Sequence, residues 1–241
     1  MTVRSANLAT PARALAIAAH PDDAEFGCGS TLAKWAADGC EVNLLVCTDG
    51  SKGTWDPTTD EAALITTRQS EQEAAALALG ATGGVGFLGY VDGELESGLD
   101  QRAAVTRFIR QTKPDVIFGH DPWKRYRLHP DHRHAGLLAT EGIVAARDPK
   151  FFPDQGLAHH RPDALLLFEA DEPDHVEDVK GFIEAKVDAL LCHRSQFQST
   201  MGSDDDPELV AFRQRVEAKL AAAGRAAGVE LAEVFKLIDD L

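Results

Sequence analysis

The feature that most constrains the fold is a regular alternation of short apolar runs with stretches of helical spacing, which begins near residue 14. Apolar strands separated by helices are typical of βαβ units, which build a mostly parallel sheet covered on both faces. The sequence therefore predicts an α/β protein with a three-layer α/β/α, Rossmann-like fold. The predicted strands are Ala14–Ala19, Glu41–Cys47, Val85–Leu88, Asp115–Gly119, Ala164–Phe168 and a terminal strand around Glu233–Ile238.

The segments between these strands are predicted to be helices and loops. We expect residues 1–12 to be a loose N-terminal segment and residues 13–241 to form one domain, because no repeat or long linker divides the chain. The predicted helices are Ser30 or Thr31 to Ala37, Glu61–Leu79, Leu99–Gln111, Asp131–Arg147, Val179–Cys192 and Pro207–Ala223. The predicted loops are 49–60, 148–162 and an acidic loop at 199–206.

The composition narrows the class of partner. A formal net charge of −15 argues against nucleic acid and anionic membranes as partners, and leaves a small-molecule substrate as our expectation. The four cysteines form no C-x-x-C pair, which favours a reducing, cytoplasmic compartment. No apolar run approaches the roughly 18 residues of a membrane span, and no signal peptide is apparent. The sequence leaves open whether the chain forms a homo-oligomer.

Two polar clusters follow predicted strands and offer metal ligands. The first is AHPDD, in which His20 and Asp23 lie at the end of the first strand. The second is HPDHRH at 129–134, after the fourth strand, from which we select His132 as a third ligand. In a doubly wound sheet of strand order 3-2-1-4-5 the two loops flank the usual ligand crevice. Taken singly, each cluster is more often a turn or a solvated face, but their joint placement favours a metal site with an open position for water.

Phosphate-binding loops are a weaker interpretation of the same turns. The stretch GSKGT at 50–54 lacks the spacing G-x-x-x-x-G-K-[ST], and the turn after the first strand lacks G-x-G-x-x-G. Two adjacent carboxylates at that turn would also repel a pyrophosphate.

The chain resembles the PIG-L family, also called LmbE-like, in several motifs that occur in the expected order. These are AHPDDAEFGCGS, TDGSKGT, an R-x-x-E with AAALALG after it, HPDHRHAG, and H-x-S-Q at 193–196. The family includes zinc-dependent deacetylases of N-acetylglucosaminyl conjugates. The resemblance therefore implies that the chain removes an N-acetyl group from an amino-sugar conjugate or a related small amide, with Zn²⁺ as cofactor and Fe²⁺ as an alternative metal.

The resemblance also implies roles for individual residues. It implies a metal site formed by His20, Asp23 and His132. It implies that Asp22 is the general base, that His129 stabilises the oxyanion or protonates the leaving group, and that Asp131 orients His129. It implies substrate contacts for Arg68 and Asp92.

One position departs from the family pattern. Some of the deacetylases have a tyrosine two residues before the first histidine of HPDH, where this chain has Arg127 with Tyr126 beside it. The family also contains a hydratase, so a metal-dependent hydratase or lyase acting on a small carboxylate is the alternative function. A non-catalytic metal- or nucleotide-binding module is a third reading, which leaves Asp22 without a role.

Several other side chains keep two interpretations. His134 is expected to be structural or solvent-facing. His120 and Asp121 either form a turn or orient a ligand, and His193 either ends a helix or contacts substrate. The aromatic residues Trp55, Trp123 and Tyr126 either stack on a sugar or pack.

Overall fold

The computed structural model describes residues 2–202 and 206–241 and consists of a mixed, mostly parallel sheet flanked by helices. Its spatial order is β1-β7-β8-β6-β5-β2-β3-β4. The strands are β1 (Ser5–Ala6), β2 (Arg13–Ala18), β3 (Glu41–Thr48), β4 (Gly84–Tyr90), β5 (Val116–His120), β6 (Ala164–Phe168), β7 (His175–Asp178) and β8 (Ala232–Ile238).

The central part of the sheet confirms the predicted strand order. Strands β4, β3, β2, β5 and β6 are neighbours in that order and pair in parallel. The strand β8 runs antiparallel between β6 and β7. Since β2 and β5 are adjacent, the loops that leave them lie side by side at the carboxyl edge of the sheet, where α/β proteins bind ligands.

Both faces of the sheet are covered, as the apolar character of the strands predicts. Along β2, Leu15 and Ile17 enter the core beneath the helices at 99–112 and 130–147, whereas Ala14 and Ala16 enter the core beneath the helix at 23–37. This alternation follows from the two-residue repeat of a strand. The helices are α1 (Asp23–Ala37), α2 (Glu61–Ala78), α3 (Leu99–Thr112), α4 (Pro130–Arg147), α5 (Ile183–Leu190) and α6 (Asp206–Ala227).

The start of α1 differs from the prediction. The helix begins at Asp23, whereas the sequence predicts a start at Ser30 or Thr31. The prediction missed the first turns because Gly27 and Gly29 weaken the helical pattern in the sequence, although the packed structure tolerates them. A bare Cα is needed at Gly27, where an added Cβ would lie 2.6 Å from the ring of Phe168. The helix is interrupted at Cys28, whose φ is −146°.

After this interruption, a carboxylate from β8 accepts hydrogen bonds from backbone N–H groups of α1. The backbone N–H groups of Ser30 and Thr31 donate to the two oxygens of Glu233, and Lys186 donates to the same carboxylate at 2.6 Å. Glu233 thus accepts hydrogen bonds that an uninterrupted helix would direct to its own carbonyls.

Other boundaries also differ. The predicted helix Val179–Cys192 is shortened to α5, and residues 175–178 before it form β7. Residues 5–6 of the N-terminal segment pair with β7 as β1. The predicted loop 148–162 contains one 3₁₀ turn at Pro153–Gln155, and the predicted acidic loop 199–206 overlaps a π-helical turn that ends at Met201. Residues 203–205 of that loop lie outside the described residues.

No helix within residues 2–202 and 206–241 is both long and apolar enough to cross a membrane.

Candidate metal centre

The candidate site lies where β2, β5 and β6 end. The segment after β2 supplies His20, Asp22 and Asp23, and the last residue of β5 is His120. Helix α4 then begins with Pro130, whose fixed φ suits the first helical position, and carries His132 in its first turn. The two predicted clusters therefore face each other across neighbouring strands.

The structure brings His20, Asp23 and His132 together. Their ligand atoms all lie within 4.8 Å of one another, so the three side chains could hold one metal ion. The Asp23 carboxylate is the centre of the group: it lies 3.2 Å from Nδ1 of His20 and 3.3 Å from Nε2 of His132. The donors are two imidazole nitrogens and one carboxylate oxygen.

The other nitrogen of His20 faces two further carboxylates. Its Nε2 lies 3.1 Å from Oδ2 of Asp131 and 3.1 Å from Oδ1 of Asp92. A neutral imidazole that offers Nδ1 to a metal carries its proton on Nε2. The two carboxylates lie where they can accept a hydrogen bond from this N–H group. In this arrangement Nδ1 of His20, on the side of Asp23, is available to a metal, and Nε2 is held by Asp131 and Asp92.

The contacts of Asp131 bear on one expectation from the sequence. The resemblance implies that Asp131 orients His129, but its described hydrogen bonds go to His20 and to the backbone N–H groups of Gly93 and Leu95. A ring nitrogen of His129 and a carboxylate oxygen of Asp131 still lie within 4.8 Å of each other, so the orienting role toward His129 stays a prediction. Asp131 is fully buried, and these donors satisfy its carboxylate.

A second layer of charged groups surrounds Asp23 and His132. The ring of His120 lies 3.3 Å from Asp23 and stacks on His132 with a centroid distance of 4.4 Å. Arg127 donates to Glu169 at 2.6 Å and lies 3.3 Å from Nδ1 of His132. His120 and the guanidinium of Arg127 lower the pKa of Glu169. Arg127, which stands where some of the family deacetylases have a tyrosine, is buried and forms an ion pair with the exposed Glu169 beside the candidate ligand.

Asp22 occupies a strained and buried position beside this group. Its φ of 100° lies in the left-handed region that non-glycine residues seldom adopt, and such outliers cluster at functional sites. Only 5% of the residue is exposed. Burial raises the pKa of Asp22 to about 7, against the opposing effect of the Arg68 guanidinium 3.7 Å away. A carboxyl group with such a pKa is suited to exchange a proton near neutrality.

Arg68 is held by backbone carbonyls. Its guanidinium donates to the oxygen of Gly50 at 2.8 Å and to that of Pro21 at 2.7 Å, and the residue is 3% exposed. The surface ion pair with Glu71 that the sequence permits is therefore not formed. Arg68 fixes the loop that carries Asp22, and it also lies 4.0 Å from Asp92.

His129 is the exposed member of the histidine cluster. Its ring stacks on that of His132 at 4.7 Å and meets the edge of His20 at 4.6 Å. Burial and the neighbouring His20 lower the pKa of His129, which favours the neutral ring in this arrangement. It therefore borders the open side of the group, where a ligand would enter.

The remaining candidate residues differ in their exposure to solvent. His134 lies beside the hydroxyl of Ser97, away from the ligand group. Trp55, Trp123 and Tyr126 are 75%, 64% and 87% exposed. His193, by contrast, is fully buried just after the end of α5, so it is not a rim contact.

Three side chains near the site were not selected from the sequence: Glu25 and Gln72, which are fully buried, and Glu169. Gln72 accepts from the backbone N–H of Asp22 and donates to Glu25, and Glu169 pairs with Arg127. The only sequence signal for Gln72 was its position four residues after Arg68, on the same face of α2.

The chain matches the family model PIG-L, described as GlcNAc-PI de-N-acetylase, over residues 15–143. It is 34% identical over 188 residues to the diacetylchitobiose deacetylase of Thermococcus kodakarensis, with 77% of this chain and 70% of that protein covered. It is 33% identical over 168 residues to the 1D-myo-inositol 2-acetamido-2-deoxy-alpha-D-glucopyranoside deacetylase of Streptomyces scabiei, with 60% of this chain and 52% of that protein covered.

Among solved structures, the N,N'-diacetylchitobiose deacetylase from Pyrococcus horikoshii in complex with its inhibitor MPG superposes with a TM-score of 0.85. The two are 30% identical, and the superposition covers 95% of this chain and 84% of the other. Because the family model spans more than half of the sequence, and a relative at 34% identity is matched over 77% of it, the chain belongs to the PIG-L family.

Proposed function

We propose that this chain is a zinc-dependent hydrolase that removes the N-acetyl group from an amino-sugar conjugate or a related small amide. Membership of the PIG-L family and the likeness to two deacetylases of N-acetylated sugars support this reaction class. The observation that carries the proposal is the pair Asp22 and Asp23. One carboxylate joins His20 and His132 in a ligand group, and its neighbour is buried beside that group and is left over for proton transfer.

The donor set fits a catalytic divalent metal. Two imidazoles and one carboxylate are zinc ligands of catalytic sites, in which three protein ligands leave a coordination position open. The same set also suits Fe²⁺, which remains our alternative metal. When bound, the metal would polarise the acyl carbonyl and lower the pKa of water from 15.7 to about 7.

Asp22 is proposed as the general base. It accepts a proton from the attacking water, which joins the acetamide carbon to give a tetrahedral intermediate. Because Asp22 is buried and its backbone is held in the left-handed region, its carboxylate is already in position before the substrate binds. A positioned general base contributes about 10²–10⁴-fold to the rate.

His129 is proposed to act on the other side of the intermediate. From the exposed edge of the histidine cluster, its ring can donate to the oxyanion or to the departing amine. As the C–N bond breaks, the proton that Asp22 took from water, or one from a protonated His129, passes to the departing nitrogen, which gives acetate and a free amine. In this scheme Asp131 orients His20 through their 3.1 Å contact, and it is also proposed to orient His129, as the resemblance implies.

Arg68 and Asp92 are proposed to contact substrate hydroxyls, as the resemblance implies. Their burial and their contacts with Asp22 and His20 support a second role in holding those side chains. Arg68→Lys and Asp92→Asn separate the two roles: a raised KM indicates substrate contact, whereas a lowered kcat at constant KM indicates positioning.

The alternative hydratase or lyase reaction is not favoured. The family description and both named sequence relatives are deacetylases. A non-catalytic metal-binding module would not require a strained carboxylate beside its ligand group.

The test uses two adjacent, isosteric substitutions. Metal-free protein, zinc-loaded protein and the variants Asp22→Asn and Asp23→Asn are assayed for bound metal and for amine and acetate release from diacetylchitobiose and from an N-acetylglucosaminyl-inositol. Zinc-loaded protein is expected to release both products. Asp22→Asn should keep its metal and lose about 10²–10⁴-fold in kcat, and Asp23→Asn should lose the metal as well.

Two outcomes would reject the proposal. The first is turnover by metal-free protein at the full rate. The second is the reverse pattern, in which Asp22→Asn empties the site and Asp23→Asn leaves it filled. Product formation without acetate would favour hydration.

A further inference from the structure

Two sequence motifs, R-x-x-E at 68–71 and H-x-S-Q at 193–196, meet next to the segment that carries Asp22. Arg68, Glu71 and Gln72 lie on one face of α2, because they are spaced three and four residues apart. The backbone N–H and the hydroxyl of Ser195 donate to the two oxygens of Glu71 at 2.8 and 2.6 Å. The segment that follows α5 is thereby fixed against α2, and it places His193 in the interior.

His193 has an unusual environment. The residue is fully buried, and within the described part of the chain neither ring nitrogen has a hydrogen-bond partner. Its Nε2 lies 3.6 Å from Oε2 of Glu25, a fully buried carboxylate oxygen that also has no hydrogen-bond partner in the described structure. Burial lowers the pKa of His193, but the carboxylates of Glu25 and Asp22 raise it overall, which favours a cationic ring.

The other oxygen of Glu25 leads to Asp22. Oε1 of Glu25 accepts from Nε2 of Gln72 at 2.6 Å, and Oε1 of Gln72 accepts from the backbone N–H of Asp22 at 3.0 Å. A carboxylate only accepts, so Glu25 requires the NH₂ end of the Gln72 amide. The carbonyl end is thereby turned toward Asp22, whose φ of 100° needs an external restraint.

We propose that His193 is a positioning residue for Asp22, which acts through Glu25 and Gln72. His193 provides the cationic neighbour that keeps Glu25 in place as a buried acceptor. Glu25 fixes the orientation of the Gln72 amide, and the amide carbonyl holds the backbone of Asp22. The catalytic part of this inference rests on the proposed function, since it assigns Asp22 as the base.

The physical reason is the cost of an unpaired buried charge. If His193 is removed, Glu25 keeps one hydrogen bond and no cation beside its second oxygen, and a buried carboxylate without a partner is strongly unfavourable. Glu25 then turns toward water or other donors, and the Gln72 amide loses the partner that fixes its direction. Asp22 relaxes from its strained conformation. A displacement of about 1 Å in a catalytic group lowers the rate about 10²-fold.

The chain offers a matched control at the far edge of the sheet. His175 is also fully buried and lies 2.8 Å from the buried carboxylate of Glu177, but this pair belongs to β7 and makes no described contact with the ligand group. His175→Ala therefore removes the same side chain from the same kind of pair without touching the support of Asp22.

The experiment compares zinc-loaded His193→Ala, His193→Gln and His175→Ala with the parent protein. For His193→Ala we expect kcat to fall about 10–100-fold, with KM and bound zinc unchanged. His193→Gln retains an N–H donor for Glu25 and should recover part of kcat. His175→Ala should lower the melting temperature and leave kcat within about twofold. Equal kcat values for His193→Ala and His175→Ala, or a loss explained by missing zinc, would overturn the proposal.

A second measurement does not depend on deacetylase activity. Thermal unfolding of His193→Ala, Gln72→Ala and the double variant tests whether the two residues act in one network. If they do, the decrease in melting temperature of the double variant is smaller than the sum of the decreases of the two single variants. Additive losses would overturn the connection, even if the chain proved to catalyse another reaction.

Discussion

The glycine that ends the motif HPDHRHAG sets the distance between α4 and β5, and Gly136→Ala tests this. A Cβ added at Gly136 would lie 2.4 Å from the carbonyl oxygen of His120 and 3.0 Å from the backbone nitrogen of Pro122. Both atoms belong to the backbone and cannot rotate away. Ordinary van der Waals contact begins near 3.4 Å, so α4 must move by about 1 Å.

This displacement acts directly on the candidate ligand group. His132 lies one helical turn before Gly136, and its Nε2 is 3.3 Å from the carboxylate of Asp23. Metal–ligand distances tolerate changes of only about 0.2 Å, so a 1 Å shift weakens coordination. We expect Gly136→Ala to lose about 10²-fold in zinc affinity and at least as much in kcat/KM.

The control is the same substitution six residues later in the same helix, at Gly142. At Gly142 the added Cβ would lie 2.8 Å from a side-chain carbon of Val105 on α3, which costs about 1–3 kcal/mol of stability without moving the ligand group. Zinc affinity is measured by competition with a chelator, activity by amine release, and stability by thermal unfolding. The reasoning is refuted if Gly136→Ala binds zinc and turns over as well as Gly142→Ala does.

Two further predictions concern stability. Glu233→Ala should lower the free energy of unfolding by about 3–5 kcal/mol, because Lys186 would remain buried without its carboxylate and the N–H groups of Ser30 and Thr31 would lose their acceptor; a urea-measured loss below about 1 kcal/mol would contradict this. Burial raises the pKa of Glu177, but the contacts with His175 and Lys34 outweigh burial and lower this pKa overall. The carboxylate therefore stabilises the fold above its unfolded pKa near 4.5, and this stabilisation is lost as the pH falls through the lower pKa of the folded state. Glu177→Gln should flatten the pH dependence of the melting temperature between pH 5 and about 3, and an unchanged slope would count against the assignment.

The sequence predicts the sheet well because its signal is local. Each buried strand is a short apolar run, and the order of the central strands follows from βαβ connections. The same logic placed His20 and His132 at neighbouring strand ends, as the structure shows. Local patterns were less informative at α1, where glycines required by close packing obscured the helix, and at β7, which is four residues long.

The parts that the sequence could not predict are contacts between distant segments. Glu25, Gln72 and His193 come from α1, α2 and the turn after α5, and nothing in their spacing shows that they meet. The contact between Asp131 and His20 could not be predicted for the same reason, since it joins residues 111 positions apart.

The position of β8 bears on how such a chain matures. This strand is inserted between β6 and β7, and its Glu233 secures the helix that begins at Asp23. During synthesis, the sheet therefore stays split and α1 stays uncapped until residues 232–238 have left the ribosome. Ser30 and Thr31 thus receive their hydrogen-bond acceptor from a residue 203 and 202 positions further along the chain.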